Sequence, residues 1–505
     1  MQMLVSAGLI ALVVVWGLLA PASLGAVFNE ALAAITRNFG WFYLWVVLGL
    51  VLLALVLAFS RYGDMKLGAG DDEPEFSNGA WFSMLFAAGM GIGLVYFGVA
   101  EPLSHFASPP PGVAARTPEA ANAAMRYAFF HWGLHPWAIY GIVGLAIAYF
   151  QSRRGAPALV SSPTETLPWA WARRLTPAFN VLAVVATAFG VAASLGVGAA
   201  QINSGLHTVF GLPVGPTWQV GIIAVVTVLF VTSSVSGVAR GVKLLSVGNL
   251  IAAAALAGVV FVLGPTVHII DTFTNSLGGY ASEFVRMSLR LTPFRDSSWV
   301  GSWTIFYWAW WLAWSPFVGL FIARVSRGRT IREFVLGVVI APTLVAFLWF
   351  SIFGGAALSL EIFQGAPLAD VAAKDSSLAL FAMLQQLPLA TLTSIIGTLL
   401  VVVFFVTSGD SATLVLATMS HGGADNPPHR SKIIWGVLIA GIAAALLLAG
   451  GVQAVQTASI VFALPFTVVV VLMAVALVRA IRADWEADQK RQRALRRRME
   501  QLVQP

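Results

Sequence analysis

Apolar runs of roughly 20 residues, long enough to cross about 30 Å of hydrocarbon, recur from one end of this sequence to the other. One soluble core cannot hide them all, so the chain reads as an all-α polytopic membrane protein. Composition agrees: 58% of the 505 residues are hydrophobic and 10% are charged, against about 25% charged in soluble proteins. Hydropathy gives about twelve transmembrane spans, near 3–27, 41–60, 80–103, 127–150, 180–207, 217–234, 244–264, 303–323, 332–358, 390–418, 433–450 and 456–478. An even count puts both termini on one face. The first run is long, has no basic leader and feeds into another span, so it reads as a retained helix. With no cysteine, disulfides, thiol chemistry and Cys-bound metals are excluded.

The net charge of +7 is explained by sorting across the bilayer, with no need for a nucleic-acid partner. With the N-terminus inside, Arg37, Arg116, Arg126, Arg286, Arg290, Arg295 and Lys374 face outward, and the other 22 of the 29 Lys and Arg fall in cytoplasmic segments. Such a bias sets orientation, and it predicts a cytoplasmic membrane of bacterial type with both termini inside. Residues 266–300 mix Ile269, Phe273 and Phe284 with Asp271, Glu283 and Arg286, the pattern of an amphipathic helix on the outer surface. The tail is too polar to span, and Lys490, Arg491, Arg493, Arg496, Arg497 and Arg498 would draw it to anionic lipid. The chain therefore divides into two leading helices with a loop (1–79), five helices (80–264), the amphipathic segment (265–302), five further helices (303–480) and the basic tail (481–505).

Two spans break the rules of a simple membrane helix. Gly89, Gly91 and Gly93 alternate in the third span, which predicts unwound backbone there. Unwound backbone at membrane depth must line a cavity or be buried in protein. Ser315 and Pro316 predict a second interruption in the eighth span. Interrupted helices opening two sets of five point to a midplane site in an inverted repeat preceded by two extra helices. At 100° per residue, Trp303, Trp310 and Trp314 fall within about 40° of one another, with Trp311 about 60° further round. In the fourth span Trp132, Tyr140 and Trp137 also share one side. Neither 127–150 nor 303–322 contains Asp or Glu. A cation without N–H groups is held best by aromatic faces, and the missing acid suits a zwitterion such as glycine betaine. The backbone at Gly89, Gly91 and Gly93 could approach its carboxylate.

GMGIGLVYFGVAEP at 89–102, HWGLHPWAIY at 131–140 and the tryptophan-rich run ending in WSPFVG at 314–319 resemble the betaine/carnitine/choline transporter family over essentially the whole chain. The resemblance implies a LeuT-type inverted-repeat fold, a homotrimer, and sodium-coupled import of a quaternary-ammonium osmolyte for osmoprotection, with no cofactor beyond the coupling ion. By the same resemblance Trp132, Trp137, Tyr140 and Trp311 form a central aromatic box, while Phe306, Trp310 and Trp314 line the pathway and its gates. Choline carriers of the family resemble GMGID, with an aspartate where this chain has Gly93, which again favours a zwitterion. One sodium site would use the carbonyls of Ala87, Met90 and Phe404 with the side chains of Thr407 and Ser408. For a second, Thr187 and Phe317 match the family, but Val191 stands where sodium-coupled members have threonine.

That departure leaves the ion count open. It also keeps proton-coupled or sodium-independent transport of betaine, ectoine, carnitine or choline as the alternative. His131 and His135 have a metal-binding spacing but no third ligand. Asp410 at membrane depth is a functional candidate, and Glu101, near a span end, reads as interfacial. No nucleophile motif or cofactor fingerprint is present, so a carrier is expected and not an enzyme. Members of the family can be activated by hyperosmotic stress through a charged C-terminal helix, a role the basic tail could fill.

Overall fold

The computed structural model describes residues 2–503 apart from 69–71, 90, 237–238, 295–297 and 425, and describes no side chain at 86–89, 239–243 or 502–503. Its main helices are α1 (Gln2–Leu19), α2 (Pro21–Phe59), α3 (Asn78–Gly89), α4 (Ile92–Ala107), α5 (Pro118–Trp132), α6 (Leu134–Arg154), α7 (Thr176–Phe210), α8 (Pro216–Ser236), α9 (Ala239–Leu263), α10 (Thr266–Ser288), α11 (Phe306–Val325), α12 (Ile331–Gln364), α13 (Ala390–Ser420) and α14 (His429–Val503). Among the described residues no strand forms, and the one β-like contact is a bridge from Lys66 to Thr330. Ten helical stretches are long and apolar enough to cross a membrane. The fold is that of a polytopic membrane protein.

The helix boundaries follow local chemistry more closely than hydropathy does. The first two apolar runs are expected at 3–27 and 41–60, yet α1 ends at Leu19 and α2 runs 39 residues from Pro21. Proline lacks the N–H that would continue α1, and it is pre-organised for a first helical position. The expected interruption at 89–93 is present: α3 stops at Gly89, Gly91 is extended (φ −137°, ψ −175°), and α4 starts at Ile92. The fourth span is also broken, which its apolar pattern did not announce. Gly133 separates α5 from α6, and a Cβ there would lie 2.5 Å from the Phe129 carbonyl oxygen and 2.9 Å from the Phe347 ring. In α14 the helix passes non-helical Gly450 and Gly451.

The interruption expected at Ser315 and Pro316 is absent, because α11 runs unbroken from Phe306 to Val325. Pro316 cannot donate to the carbonyl four residues back, which belongs to Leu312. The Ser315 hydroxyl donates to that same oxygen at 2.7 Å, so the serine replaces the bond the proline removes. The irregular turn lies upstream instead, where Gly301–Ile305 is π-helical.

Contacts sort the charged segments to two ends of the bundle. At one end Arg153 and Arg154 pair with Asp488 and Asp484 of α14 at 3.1 and 2.7 Å. Arg332 meets Asp64 at 2.6 Å, Arg327 meets Asp72 at 3.3 Å, and Arg61 lies over the Trp485 ring. These are segments that charge assigns to one face. At the other end Arg116 pairs with Asp370, and Arg290 donates to the Tyr127 hydroxyl. Helix α10 covers α5 and α12 there, with Asn275 bonded to Asn122 at 2.8 Å and the Tyr280 ring 5.1 Å from that of Phe347.

Ser315→Ala should leave a buried carbonyl without a donor and cost roughly 1–3 kcal/mol, whereas Ser315→Thr should keep most of the stability. Thermal unfolding of the purified protein in detergent checks this. Equal melting of the alanine and threonine variants with the parent would show that the hydroxyl does not rescue the proline.

Candidate functional site

The broken helices meet at a cavity of about 560 Å³ of empty space. Gly91, Ile92, Gly93 and Leu94 enter it from the start of α4, and Trp132 from the end of α5. Pro136, Trp137 and Tyr140 come from α6, and Trp310, Trp311, Trp314 and Val318 from α11. Ser194 of α7 and Ser408 of α13 supply hydroxyls. The lining contains no charged side chain.

The rings stand as walls at steep angles to one another. Trp132 crosses Trp311 at 77° with centroids 4.8 Å apart, Tyr140 crosses Trp311 at 81° and 6.1 Å, and Trp137 crosses Tyr140 at 77° and 5.6 Å. Trp310 lies flat on Trp311 at 4.9 Å. Four of the indole N–H groups are tied to acceptors in neighbouring helices. Trp311 donates to the His131 carbonyl at 3.0 Å, Trp310 and Trp314 to the Gly190 carbonyl at 3.3 and 2.7 Å, and Trp132 to Glu101 Oε2 at 2.9 Å. These donors are satisfied within the protein, and the rings that line the cavity offer aromatic surface, which attracts cations over its faces.

Gly93 is where backbone and rings meet most closely. A Cβ at this position would sit 2.8 Å from the outer edge of Trp310 and 3.0 Å from that of Trp132. At Gly91, by contrast, a Cβ would find nothing within 4 Å.

The residues singled out from sequence are only partly gathered here. Trp132, Trp137, Tyr140, Trp310, Trp311, Trp314, Gly91, Gly93 and Ser408 line the cavity. Phe306 lies behind it, stacked on Trp310 at 5.4 Å. Trp303, placed by a 100° projection on the face of Trp310 and Trp314, instead packs 4.4 Å from His105, because the π-turn at Gly301–Ile305 shifts its register. Phe317 meets Trp314 edge-on at 5.2 Å. Met90 lies outside the described residues, and of Ala87 and Gly89 only the helical backbone is described. Thr407 donates to the Val403 and Phe404 carbonyls at 2.9 and 3.3 Å. The Thr187 hydroxyl is fully buried without a hydrogen-bond partner. Val191 is likewise buried and offers no oxygen.

Glu101 was misplaced by the sequence reading: it is 0% exposed, in the interior beside the cavity wall. It accepts from His131 Nδ1 at 2.7 Å, His105 Nε2 at 3.1 Å, Trp132 Nε1 at 2.9 Å and the Tyr307 hydroxyl at 2.5 Å. His131 and His135 do not act as a pair, since the break at Gly133 intervenes and His135 bonds Ser288 at 2.9 Å. Pro136 and Ser194 carried no sequence signal.

A profile of the betaine/carnitine/choline (BCCT) family of transporters matches residues 2–486. The glycine betaine transporter OpuD of Bacillus subtilis is 49% identical over 471 residues, covering 93% of this chain and 91% of that protein. An ectoine/hydroxyectoine transporter of Virgibacillus pantothenticus is 45% identical over 490 residues, covering 97% and 98%. A probable glycine betaine transporter of Desulfitobacterium hafniense is 44% identical over 488 residues, covering 95% and 97%.

Two glycines of one motif should differ in tolerance. Gly93→Ala forces two buried rings to shift, an overpacking cost of about 1–3 kcal/mol, and should lower solute uptake by roughly tenfold. Gly91→Ala should be tolerated. Uptake of labelled glycine betaine by cells producing equal amounts of each variant checks the contrast, and equal losses at both positions would contradict it.

Proposed function

Because this chain belongs to the betaine/carnitine/choline transporter family, we propose that it imports a methylated zwitterion, glycine betaine first, by sodium-coupled alternating access across a bacterial cytoplasmic membrane. The observation that carries the reading is the cage: aromatic rings from three helices line one cavity and cross at steep angles, with four of their indole N–H groups already bonded within the protein. A quaternary ammonium donates no hydrogen bond and gains about 0.5–2 kcal/mol per ring face. The carboxylate of the same molecule has a complementary neighbour in the first turn of α4, whose Ile92 and Gly93 line the cavity. Amides in a first helical turn lack intrahelical acceptors and carry the positive end of the helix dipole. A cavity wall without charge suits a solute with no net charge.

The sodium part of the proposal draws on oxygen atoms. Thr407 donates its proton to backbone, which leaves its lone pairs for a cation beside the Phe404 carbonyl and Ser408. Ala87 and Met90 would complete that set. The unpartnered Thr187 hydroxyl suits a second, weaker set with Phe317, which the Val191 side chain cannot complete. In this reading α3 and α4 form one broken crossing and α14 forms two. With the other nine stretches that gives twelve, arranged as two leading helices and an inverted five-plus-five repeat of LeuT type. Both termini lie in the cytoplasm, at the end where Arg153, Arg154, Arg327 and Arg332 gather.

The ectoine/hydroxyectoine relative favours a second reading of the cargo. A cyclic zwitterion whose cation retains N–H groups would need acceptors, and Ser194, Ser408 and Tyr140 bring hydroxyls to the lining.

Reconstitution in proteoliposomes tests both parts. Uptake should collapse when sodium is replaced at constant pH and membrane potential, and glycine betaine should compete best, ahead of ectoine, carnitine and choline. Trp311→Ala should weaken betaine binding by up to roughly thirtyfold, the upper value for one ring. Uptake indifferent to sodium would reject the coupling and leave proton-linked transport or exchange. Uptake indifferent to loss of Trp311 would reject the cage.

A further inference from the structure

The buried carboxylate behind the cage has no assigned task. Glu101 accepts four hydrogen bonds, about the full capacity of a carboxylate. The hydrogen-bond chemistry fits an ionised carboxylate. Indole can only donate, so Glu101 Oε2 is an acceptor toward Trp132. His131 is flanked by Glu101 on Nδ1 and by Thr304 on Nε2 at 3.0 Å; a neutral ring meets both contacts by donating to the carboxylate and accepting from the hydroxyl, and full burial favours that form over a second buried charge. His105 uses Nε2 toward Glu101, while its buried Nδ1 has no partner. A bare lone pair there is less costly than an orphaned N–H. Among the described residues no Lys or Arg pairs with Glu101. A net negative charge is left in the protein interior, one hydrogen bond behind Trp132.

We propose that Glu101 is the counter-charge of the cation cage, acting through the Trp132 N–H and through space to make the cavity-facing π-surface more negative, and that it thereby sets selectivity for a permanently cationic head group. This rests on the cage reading of the cavity. Glu101 is a positioning and selectivity residue that does not itself touch the solute. The Tyr307 hydroxyl, on the same Oε2, fixes the carboxylate, and its ring lies nearly parallel to Trp311 at 5.8 Å. Polarisation along hydrogen bonds is strengthened where the dielectric is low.

The test compares glycine betaine with 3,3-dimethylbutanoate, in which a neutral carbon replaces the quaternary nitrogen at nearly the same shape. Binding of each is read by tryptophan fluorescence on the purified full-length protein. The parent should prefer betaine. Glu101→Gln, similar in size but uncharged, should weaken betaine by roughly tenfold and leave the carbon analogue nearly unchanged, so the preference shrinks. Tyr307→Phe disturbs the same network but keeps the charge, and should retain the preference. Trp132→Phe keeps an aromatic ring but cuts the link, and should lose part of it, which maintains the test should Glu101→Gln fail to fold. If both Glu101→Gln and Trp132→Phe retain the parent's preference, or if Glu101→Gln and Tyr307→Phe weaken both ligands equally, the proposal is overturned and Glu101 is structural. A parent with no preference for betaine would instead refute the cage reading itself.

Discussion

An indole N–H removed from water has to find an acceptor, and that requirement organises the centre of this protein. Leaving such a donor unbonded costs on the order of 1–3 kcal/mol. Each of the four tied cage tryptophans meets the requirement on a helix other than its own. Trp311 reaches α5 through the His131 carbonyl, Trp310 and Trp314 reach α7 through Gly190, and Trp132 reaches α4 through Glu101. Anchoring each edge on a neighbouring helix therefore helps to fix where these rings stand around the cavity. The packing around the acceptors agrees, since a Cβ on Gly190 would lie 2.9 Å from Trp314 and 3.1 Å from the Ala313 methyl. The bond that orients the ring needs the backbone to come that close.

Broken helices supply the second half of the arrangement, and their causes differ. At Gly91 the backbone is extended, so the first turn of α4 starts at the cavity and not at the membrane surface. At Gly133 a side chain would collide with the preceding turn and with Phe347, so the break separates Trp132 from Trp137 and lets both reach one cavity from different helices. Across α11 the opposite solution appears. Three cavity tryptophans need a regular helix to keep their spacing, and Ser315 preserves it by bonding the carbonyl that Pro316 leaves free.

These particulars explain what could be read from the chain alone. Membrane-spanning helices, the charge asymmetry and the break near Gly91 all follow from local composition, and they were legible. So were most of the cavity's rings, because their motifs match a family. Trp303 was misjudged since one π-turn rotates everything before it, and periodicity assumes 3.6 residues per turn throughout. The interruption expected at Ser315–Pro316 follows from the proline alone, whereas the neighbouring hydroxyl stands in for the lost donor. Glu101 was read as interfacial by counting from the ends of a hydropathy window. The structure buries it in the protein, where, apart from His105 one turn along its own helix, its partners come from α5 and from Tyr307, more than 200 positions along the chain, which no local window joins.

The placement of that carboxylate answers an electrostatic difficulty that any cation-binding cavity inside a membrane protein has to meet. An acid lining the wall would face water when the cavity is empty and a cation when it is full, so it would be rehydrated and stripped on every turnover. Removing such a charge from water costs several kcal/mol even after relaxation. Set one layer back, Glu101 takes its four bonds from protein side chains and stays out of the lining that solute or water would touch. The rings between it and the cavity then present a soft, donor-free surface whose potential is set from behind, and a solute with its own carboxylate meets no bare anion as it enters.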